Sequence, residues 1–584
     1  MVQWAVKNMG GAIPKMDAHL LPDNAAAQAW NCDLASGPLD GLPQPELLHD
    51  FTAYGGTIAK AYRYPDPTGG SADAWLPLPS PYSSAVRSPL TNDSLHRVYW
   101  TNPGDGAYWS TYADIIAGAA PYNLGFIAPD TSYRPVVTAS GGSSPTDIPY
   151  VDRSYLVTFV NAFGEESAPS LPSADTAGAS DGTWEVVVPT TLPGNPAGKN
   201  FPLPVKMRLY RTVSGQSTGA AFYQVVEWDM ATAPPPGTGY IDTTLDVDIV
   251  NNAQLASALW VNPPDGLDGL AVMPGGFMVG FTGNTVHFSE PNRPHTWPAA
   301  YDLSVQYPIM GFGVWQQSLI VLTEGFPSQG SGASPASFTL TTIQAPEPCI
   351  SRGSIVVDLA GVYYASQNGL VMLNYFGMQN QTLQAMTKNI WLTDFHAEDL
   401  IACRHRSQYL AINGTGVGFI IDYAEQRLGV VLLNTFNNAL SVWNDVYSGD
   451  AYIFADKKVY RWDSPTADPL NYRWISKKFY LPAPTNLGAF QIHADPSILV
   501  APPDTYTPPL ENSDTNLLLP AGVNLVFKVY ADGVLKLTRN VAEVQDIFRG
   551  PSGFKAYEWQ FELIGRVPVF SFEVASTMKE LKGV

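Results

Sequence analysis

Charge is scarce in this chain: Asp, Glu, Lys and Arg make up 14% of its 584 residues, against roughly a quarter in ordinary soluble domains. Most of that little is acidic, for a formal net charge of −20 and a pI near 4.7. Such a balance excludes a protein that grips nucleic acid by neutralising phosphates, though not a wall past which DNA slides without sticking. Cysteine is scarcer still. Cys32, Cys349 and Cys403 are far apart and none belongs to a CxxC pair, which rules out a disulfide framework and predicts buried thiols from a reducing compartment. Long apolar runs are missing too: "LGVVLL" and "GGFMVGF" fall well short of the roughly 18 residues that span a bilayer. The opening "MVQWAVKNMGGAIPK" lacks the apolar core of a signal peptide, so the expectation is a soluble chain made in the cytosol.

What fills the space is 50 Pro, 50 Gly and 12% aromatic residues. Turn formers with Tyr, Trp, Val and Thr predict an all-β protein with many tight turns. Surface so sparsely charged is suited to contact with other subunits. The length allows roughly three to five domains.

Residues 1–50 read as an N-terminal arm with a short helix in "LLPDNAAAQAWNCDL", Asp23 or Asn24 serving as N-cap. Residues 51–131 alternate as strands, with "HRVYWT" and "GAYWSTY" joined as a hairpin through "NPGDG". The Ser/Gly/Pro stretch "TASGGSSPTDIP" reads as a linker into residues 132–252, where "RSYLVTFVNAFGEESAPS", "GTWEVVVPTT", "KMRLYRTV", "AFYQVVEW" and "GTGYIDTTLD" predict an inserted β-sandwich platform domain. The pattern from Tyr155 to Ser170, with "RLYRT" and "YIDTT" after it, resembles a fibronectin type III module.

From residue 253 to 480, hairpin units recur about every 35–45 residues: "GGFMVGFTGNTVHFSE", "QQSLIVLTEG", "SIVVDLAGVYYASQNGLVMLN", "LIACRHRSQYLAINGTGVGFIIDY" and "DAYIFADKKVYRWD". Small antiparallel sheets at such a period point to the blades of a β-propeller. Within them "QTLQAMTKNIWLTDFHAEDL", residues 381–400, predicts a helix. Residues 481–584 return to strand alternation as a C-terminal β segment closing the propeller, interrupted by an exposed loop over 499–520.

Candidate chemistry is thin. His287, Glu290 and His295 are zinc-ligand types, but their spacing is not HExxH and "EPNRP" breaks any helix, so a blade edge anchored by Trp297 is the better reading. "GQSTG" around Ser217 matches a nucleophile elbow, yet it joins two strands where an elbow joins strand to helix. "GNPAGKN" with Lys199 is short of a phosphate loop and opens no helix. Asp242, Asp246 and Asp248 are spaced to reach a calcium ion or to form the solvated end of a strand. Cys403 and His405 make a C-x-H pair with no second pair; the expectation is a buried thiol beside an exposed imidazole. The repeated boxes of a propeller glycosidase are absent. The sequence assigns no catalytic residue, no cofactor and no metal ligand, and interface and channel-lining residues stay unknown.

Three stretches in order resemble one family. They are "GGAIPKMDAHLLPDNAAAQAWNCDLASGPLDGL", then "DGLAVMPGGFMVGFTGNTVHFSEPNRPHTWPAAYDL" running on to "YPIMGFGVWQQSLIVLTEGFP", and "WISKKFYLPAPTNLGAFQIHAD" with "YADGV" and "STMKEL". Together they resemble the nozzle, or tail tubular B, proteins of short-tailed bacteriophages. The resemblance implies a structural virion protein of the tail, not an enzyme: a propeller with an inserted platform, assembled as a homo-hexamer below an adaptor attached to the portal. It implies tail fibre or spike neighbours, genomic DNA passing through without sequence-specific binding, and contact with the host envelope. An acidic lumen that repels phosphates is a further expectation. The competing reading is a receptor- or glycan-binding propeller of a fibre or spike, with the aromatic row "YWTNPGDGAYWSTY" stacking on sugars.

Overall fold

Strand accounts for 47% of the chain and helix for 7%, in many small antiparallel sheets. The computed structural model describes residues 3–581 apart from 71, 131, 144–149, 189–193, 214–220, 231–238, 423–428, 435–437, 465, 496–516 and 521. Two compact units emerge: one of residues 1–82, 306–329 and 341–584, the other of residues 83–305 and 330–340. Among the described residues no helix is long and apolar enough to cross a membrane.

In the first unit the chain's two ends meet. Gln3–Lys7 runs antiparallel to Val569–Ala575, and Ala26–Trp30 lies between Tyr472–Ser476 and Val430–Leu433. The residues expected to form a helix in the arm are thus a strand. Ala26 and Ala29 are wholly buried, and their small side chains let the strand sit against a core of Trp474, Phe479 and Leu487. Alanine's helix preference is worth only tenths of a kcal/mol per residue, and tertiary packing overrides it. The glycines of "GGAIPK" have a steric role. Ala12 exchanges backbone hydrogen bonds with Val430 at 2.8 and 2.9 Å, and a Cβ on Gly11 would stand 2.8 Å from the Val430 nitrogen.

Four-stranded meanders follow the hairpin periodicity of the sequence. Val356–Asp358, Gly361–Ser366, Gly369–Asn374 and Gly377–Asn380 form one sheet. Ile401–His405, Gln408–Ile412, Gly418–Asp422 and Val430–Leu433 form another run, continuous with the sheet that holds Ala26–Trp30. A third is Ala439–Asn444, Ala451–Ala455 and Lys458–Arg461, completed from the far end of the sequence by Glu46–Asp50. The helix expected over 381–400 contracts to Lys388–Thr393, capped by the Thr387 hydroxyl, plus a single turn at Ala397–Asp399. The expected loop over 499–520 lies outside the described residues except for its last four positions.

In the second unit the hairpin through "NPGDG" forms as its alternation predicts, Arg97–Asn102 against Gly106–Thr111. The sheet of Asp268–Val272, Met278–Thr282, Thr285–Phe288 and Leu303–Ser304 turns at Gly283–Asn284. Between these segments, Tyr155–Asn161, Pro204–Thr212 and Phe222–Asp229 form one sheet, and Val136–Ser140, Thr183–Val187 and Gly239–Asp242 another. Tyr155, Val157, Phe159, Trp184, Val186, Met207 and Leu209 share a buried core. The linker reading of "TASGGSSPTDIP" begins too early, since Thr138–Ser140 pair in a strand with Thr183–Glu185.

Candidate functional site

The cluster "HFSEPNRPHTWP" does not converge. Its strand, Thr285–Phe288, points His287 at Asp302 (Nδ1 to Oδ1, 2.8 Å) and at the Thr282 hydroxyl (2.7 Å). Glu290 accepts from the Tyr301 hydroxyl at 2.9 Å. His295 turns elsewhere, its Nε2 3.2 Å from the Glu166 carbonyl and its Nδ1 3.8 Å from the Glu165 carboxylate. Burial holds His295 below the usual imidazole pKa, that is, neutral. Trp297 is buried and its indole donates to the Pro294 carbonyl at 2.8 Å, which fixes the turn. His287, Glu290 and His295 thus face different partners, and the segment braces the fold.

The aspartates spaced for calcium are engaged by cations of the chain itself. Arg211 lies 3.0 Å from Asp242 and 2.7 Å from Asp246, and Arg153 reaches Asp246 at 2.7 Å. Tyr155 donates to Asp242 at 2.9 Å, and the Arg153 guanidinium sits 4.6 Å over the Trp184 ring. Two guanidinium groups leave no negative charge for a divalent cation to neutralise, and Asp248 is exposed. Among the described residues no three His, Cys, Asp or Glu side chains gather as a metal requires.

The remaining candidates divide in the same way. Ser217 lies outside the described residues, and the strands flanking it, Pro204–Thr212 and Phe222–Asp229, pair antiparallel with no helix following. Lys199 sits in an exposed loop, 3.1 Å from Asp265. Cys403 is buried, its thiol pushed up by burial, but the imidazole beside it is buried as well, contrary to expectation. Residues two apart on a strand share a face, so His405 follows Cys403 inward. There it meets Trp462 edge-on at 6.2 Å and Asp463 at 3.6 Å. Arg406, one residue on, points outward and binds Asp463 at 2.7 Å and Asp33 at 3.2 Å. Near them a cavity of about 20 Å³ is lined by Gly10, Gly11, Cys32, Asp33, Gln408 and Asp422, room for about one water. Asp40, which pairs across a two-residue ladder with Asp33, is pushed up to about 6 by burial.

Both indoles of the row "YWTNPGDGAYWSTY" are withdrawn from solvent, while Tyr108 and Tyr112 are half-buried. Tyr99, Trp100 and Trp109 are buried, and Trp109 packs on Tyr122 and Phe163, both at 4.9 Å between ring centroids. An arrangement that sequence reasoning missed lies in "EESAPSLPS". Ser167, Ser170 and Ser173 recur every three residues, the period of an extended polyproline-type helix. Their hydroxyls accept from the backbone N–H groups of Phe159, Val157 and Tyr155 at 3.0, 3.1 and 3.0 Å. Their own N–H groups donate back to the same three residues' carbonyls. A serine ladder thus replaces a strand at this sheet edge. The signal was the Ser-x-x-Ser-x-x-Ser spacing interleaved with proline.

No protein-family model matches this chain, and no curated protein does. Among solved structures, BBS1N in complex with ARL6DN, soaked with mercury, is similar at 8% identity and a TM-score of 0.25, over 49% of this chain and 89% of that one. The same complex soaked with lead gives 10% and 0.24 over 50% and 87%. Hsv2 of Kluyvelomyces marxianus gives 8% and 0.23 over 43% and 70%. Likenesses this faint carry no inference, and the functional reading rests on the chain's own residues.

Proposed function

We propose that this chain is a structural virion protein, the nozzle of a short-tailed bacteriophage tail. It assembles as a homo-hexamer below the adaptor and releases the genome through its lumen. The observation that carries this reading is where the resembling stretches fall. The first and the last stand at opposite ends of the sequence, yet Ala26–Trp30 and Tyr472–Ser476 are adjacent strands of one sheet. A resemblance whose terminal stretches meet in one folded core supports common architecture better than matches scattered over loops.

The meanders are read as blades of a β-propeller. The leading strands Ile309–Trp315, Val356–Asp358, Ile401–His405, Ala439–Asn444 and Lys60–Tyr64 touch in that succession. Glu46–Asp50, from the other end of the chain, completes the sheet of 439–461, as a ring closed without long free edges requires. A non-enzymatic role is favoured by the site geometry, in which candidate carboxylates and imidazoles are taken up by internal partners. The burial of Trp100 and Trp109 weakens the glycan-binding alternative.

The test is a reconstruction of the native particle with the tail axis resolved. A sixfold ring around an open or DNA-filled channel, with an acidic wall, is the expected result. This chain at the particle periphery, in threefold or single copies, overturns the reading, and a basic wall overturns the low-friction account of the charge.

A further inference from the structure

Two adjacent turns of the sheet Val356–Asn380 display large apolar side chains where turn chemistry asks for none. Leu359–Ala360 links Asp358 to Gly361, and Tyr375–Phe376 links Asn374 to Gly377. Such two-residue connections favour Asn, Asp and Gly. Here Leu359 is 87% exposed and Phe376 93% exposed.

The turns are also held stiffly. Asn374 ties them together, its Oδ1 accepting from the Phe376 N–H at 2.9 Å and its Nδ2 donating to the Ala360 carbonyl at 3.0 Å. The Trp315 indole donates to the Leu359 carbonyl at 3.0 Å, and its ring lies 4.5 Å from that of Tyr375. The Tyr375 hydroxyl is 3.0 Å from that of Ser318. Leu359 and Phe376 are therefore presented on a braced platform, so fixing them against a partner costs little further ordering.

We propose that this pair of turns inserts into a lipid surface. A large apolar side chain buries about 150–250 Å², so the two supply at most about 500 Å², short of the roughly 800 Å² per partner that a stable protein interface needs. A bilayer interface requires no complementary surface and accepts a small apolar patch, here Leu359 and Phe376 flanked by the partly exposed Tyr375 and Val357. The ionised group within the turns, Asp358, is paired with Arg404 at 3.2 Å. The local patch is thus near neutral in a chain of net charge −20, which selects zwitterionic over anionic headgroups. Several copies in one assembly would add their insertions. This inference stands apart from the tail reading, because a single purified chain can show it.

The test is co-sedimentation of the full chain with phosphatidylcholine vesicles and with vesicles containing phosphatidylglycerol. Binding to neutral vesicles, unimproved by anionic lipid, is expected, with Leu359→Asp and Phe376→Asp each lowering the partition coefficient about tenfold. Near-ultraviolet circular dichroism checks that the variants stay folded. Phe376→Trp should keep binding and be quenched by doxyl-labelled lipid. Failure of the wild-type chain to sediment, or equal sedimentation of the Leu359→Asp/Phe376→Asp double variant, overturns the proposal. So does dissociation of an oligomer by these substitutions without any vesicle binding, which would assign the turns to a protein interface.

Discussion

The sheets that hold Ala489–Ala494 and Ala556–Gly565 enclose rings. Phe527 lies 5.9 Å from Phe561 and 5.7 Å from Phe572, and Phe490 lies 6.0 Å from Phe527. The sheets around Tyr155–Asn161 enclose ions as well: Arg211 and Asp242 are both wholly buried, 3.0 Å apart, with Arg153 and Asp246 beside them. The first core draws on burial of apolar area, which is additive and forgiving of shape. The second depends on every charge finding its partner, since a buried ion left alone costs several kcal/mol. One chain therefore carries a core in which a loss scales with the apolar area removed and a core in which a loss depends on whether the partner charge is removed with it.

The sharpest contrast comes from truncating each core. Phe561→Ala, at a fully buried position, should cost about 4 kcal/mol through lost transfer energy and a residual cavity. Denaturant unfolding of the purified chain reads this as a lower midpoint for the unit containing it. Arg211→Ala should cost about 3 kcal/mol in the other unit, because Asp242 stays buried without its countercharge, held by the Tyr155 hydroxyl and a backbone N–H. The difference between the cores then appears in repair. Arg211→Met with Asp242→Leu should recover most of that loss, as an apolar replacement of a buried pair often does. If the double variant is no better than Arg211→Ala, the ions are not interchangeable with apolar packing and the contrast fails.

The two cores also differed in how far the sequence revealed them. Alternation in "NLVFKVY" and "AYEWQFELIG" exposes the ring-filled core directly, since period-two apolar residues must share a face. The hairpins of 253–480 were legible for the same reason, with Gly and Asn marking their turns. The ion-filled core was hidden. Arg153, Arg211, Asp242 and Asp246 are separated by up to 93 positions, and no local rule reports a pairing made by tertiary structure. Locally, the aspartates resemble a calcium loop. The strand at Ala26–Trp30 was misread because an alanine-rich segment says helix until its neighbours are known. His405 was misplaced by treating it as a surface residue when its parity with Cys403 put it inside.

A smaller test sits at the edge of the second core. Ser170→Ala removes the acceptor for the Val157 N–H and should cost about 1–2 kcal/mol, since that buried donor is left unsatisfied. Ser170→Thr keeps the hydroxyl and should be milder. Equal stability of Ser170→Ala and wild type would show that the serine segment is held by its backbone bonds alone.

A pH-dependent effect separates two titrating groups of the first unit. Burial, aided by Arg406, lowers His405 to about 4, while burial raises Asp40 to about 6. A depressed histidine binds fewer protons folded than unfolded, so it adds a stability that is complete above about pH 6.5 and is lost as pH falls towards 4. A raised aspartate binds more protons folded, so its contribution is present at low pH and disappears as pH rises through about 6. Between pH 4 and 6 the two slopes oppose one another and the wild-type profile is flattened. His405→Gln removes one of them. The stability difference between wild type and His405→Gln should therefore grow with pH across this window, by at most about 1.4 kcal/mol per pH unit, and Asp40→Asn should tilt it the opposite way. Parallel profiles for wild type and His405→Gln would mean that the imidazole finds a proton inside the fold, with Asp463 at 3.6 Å as the group that stabilises it.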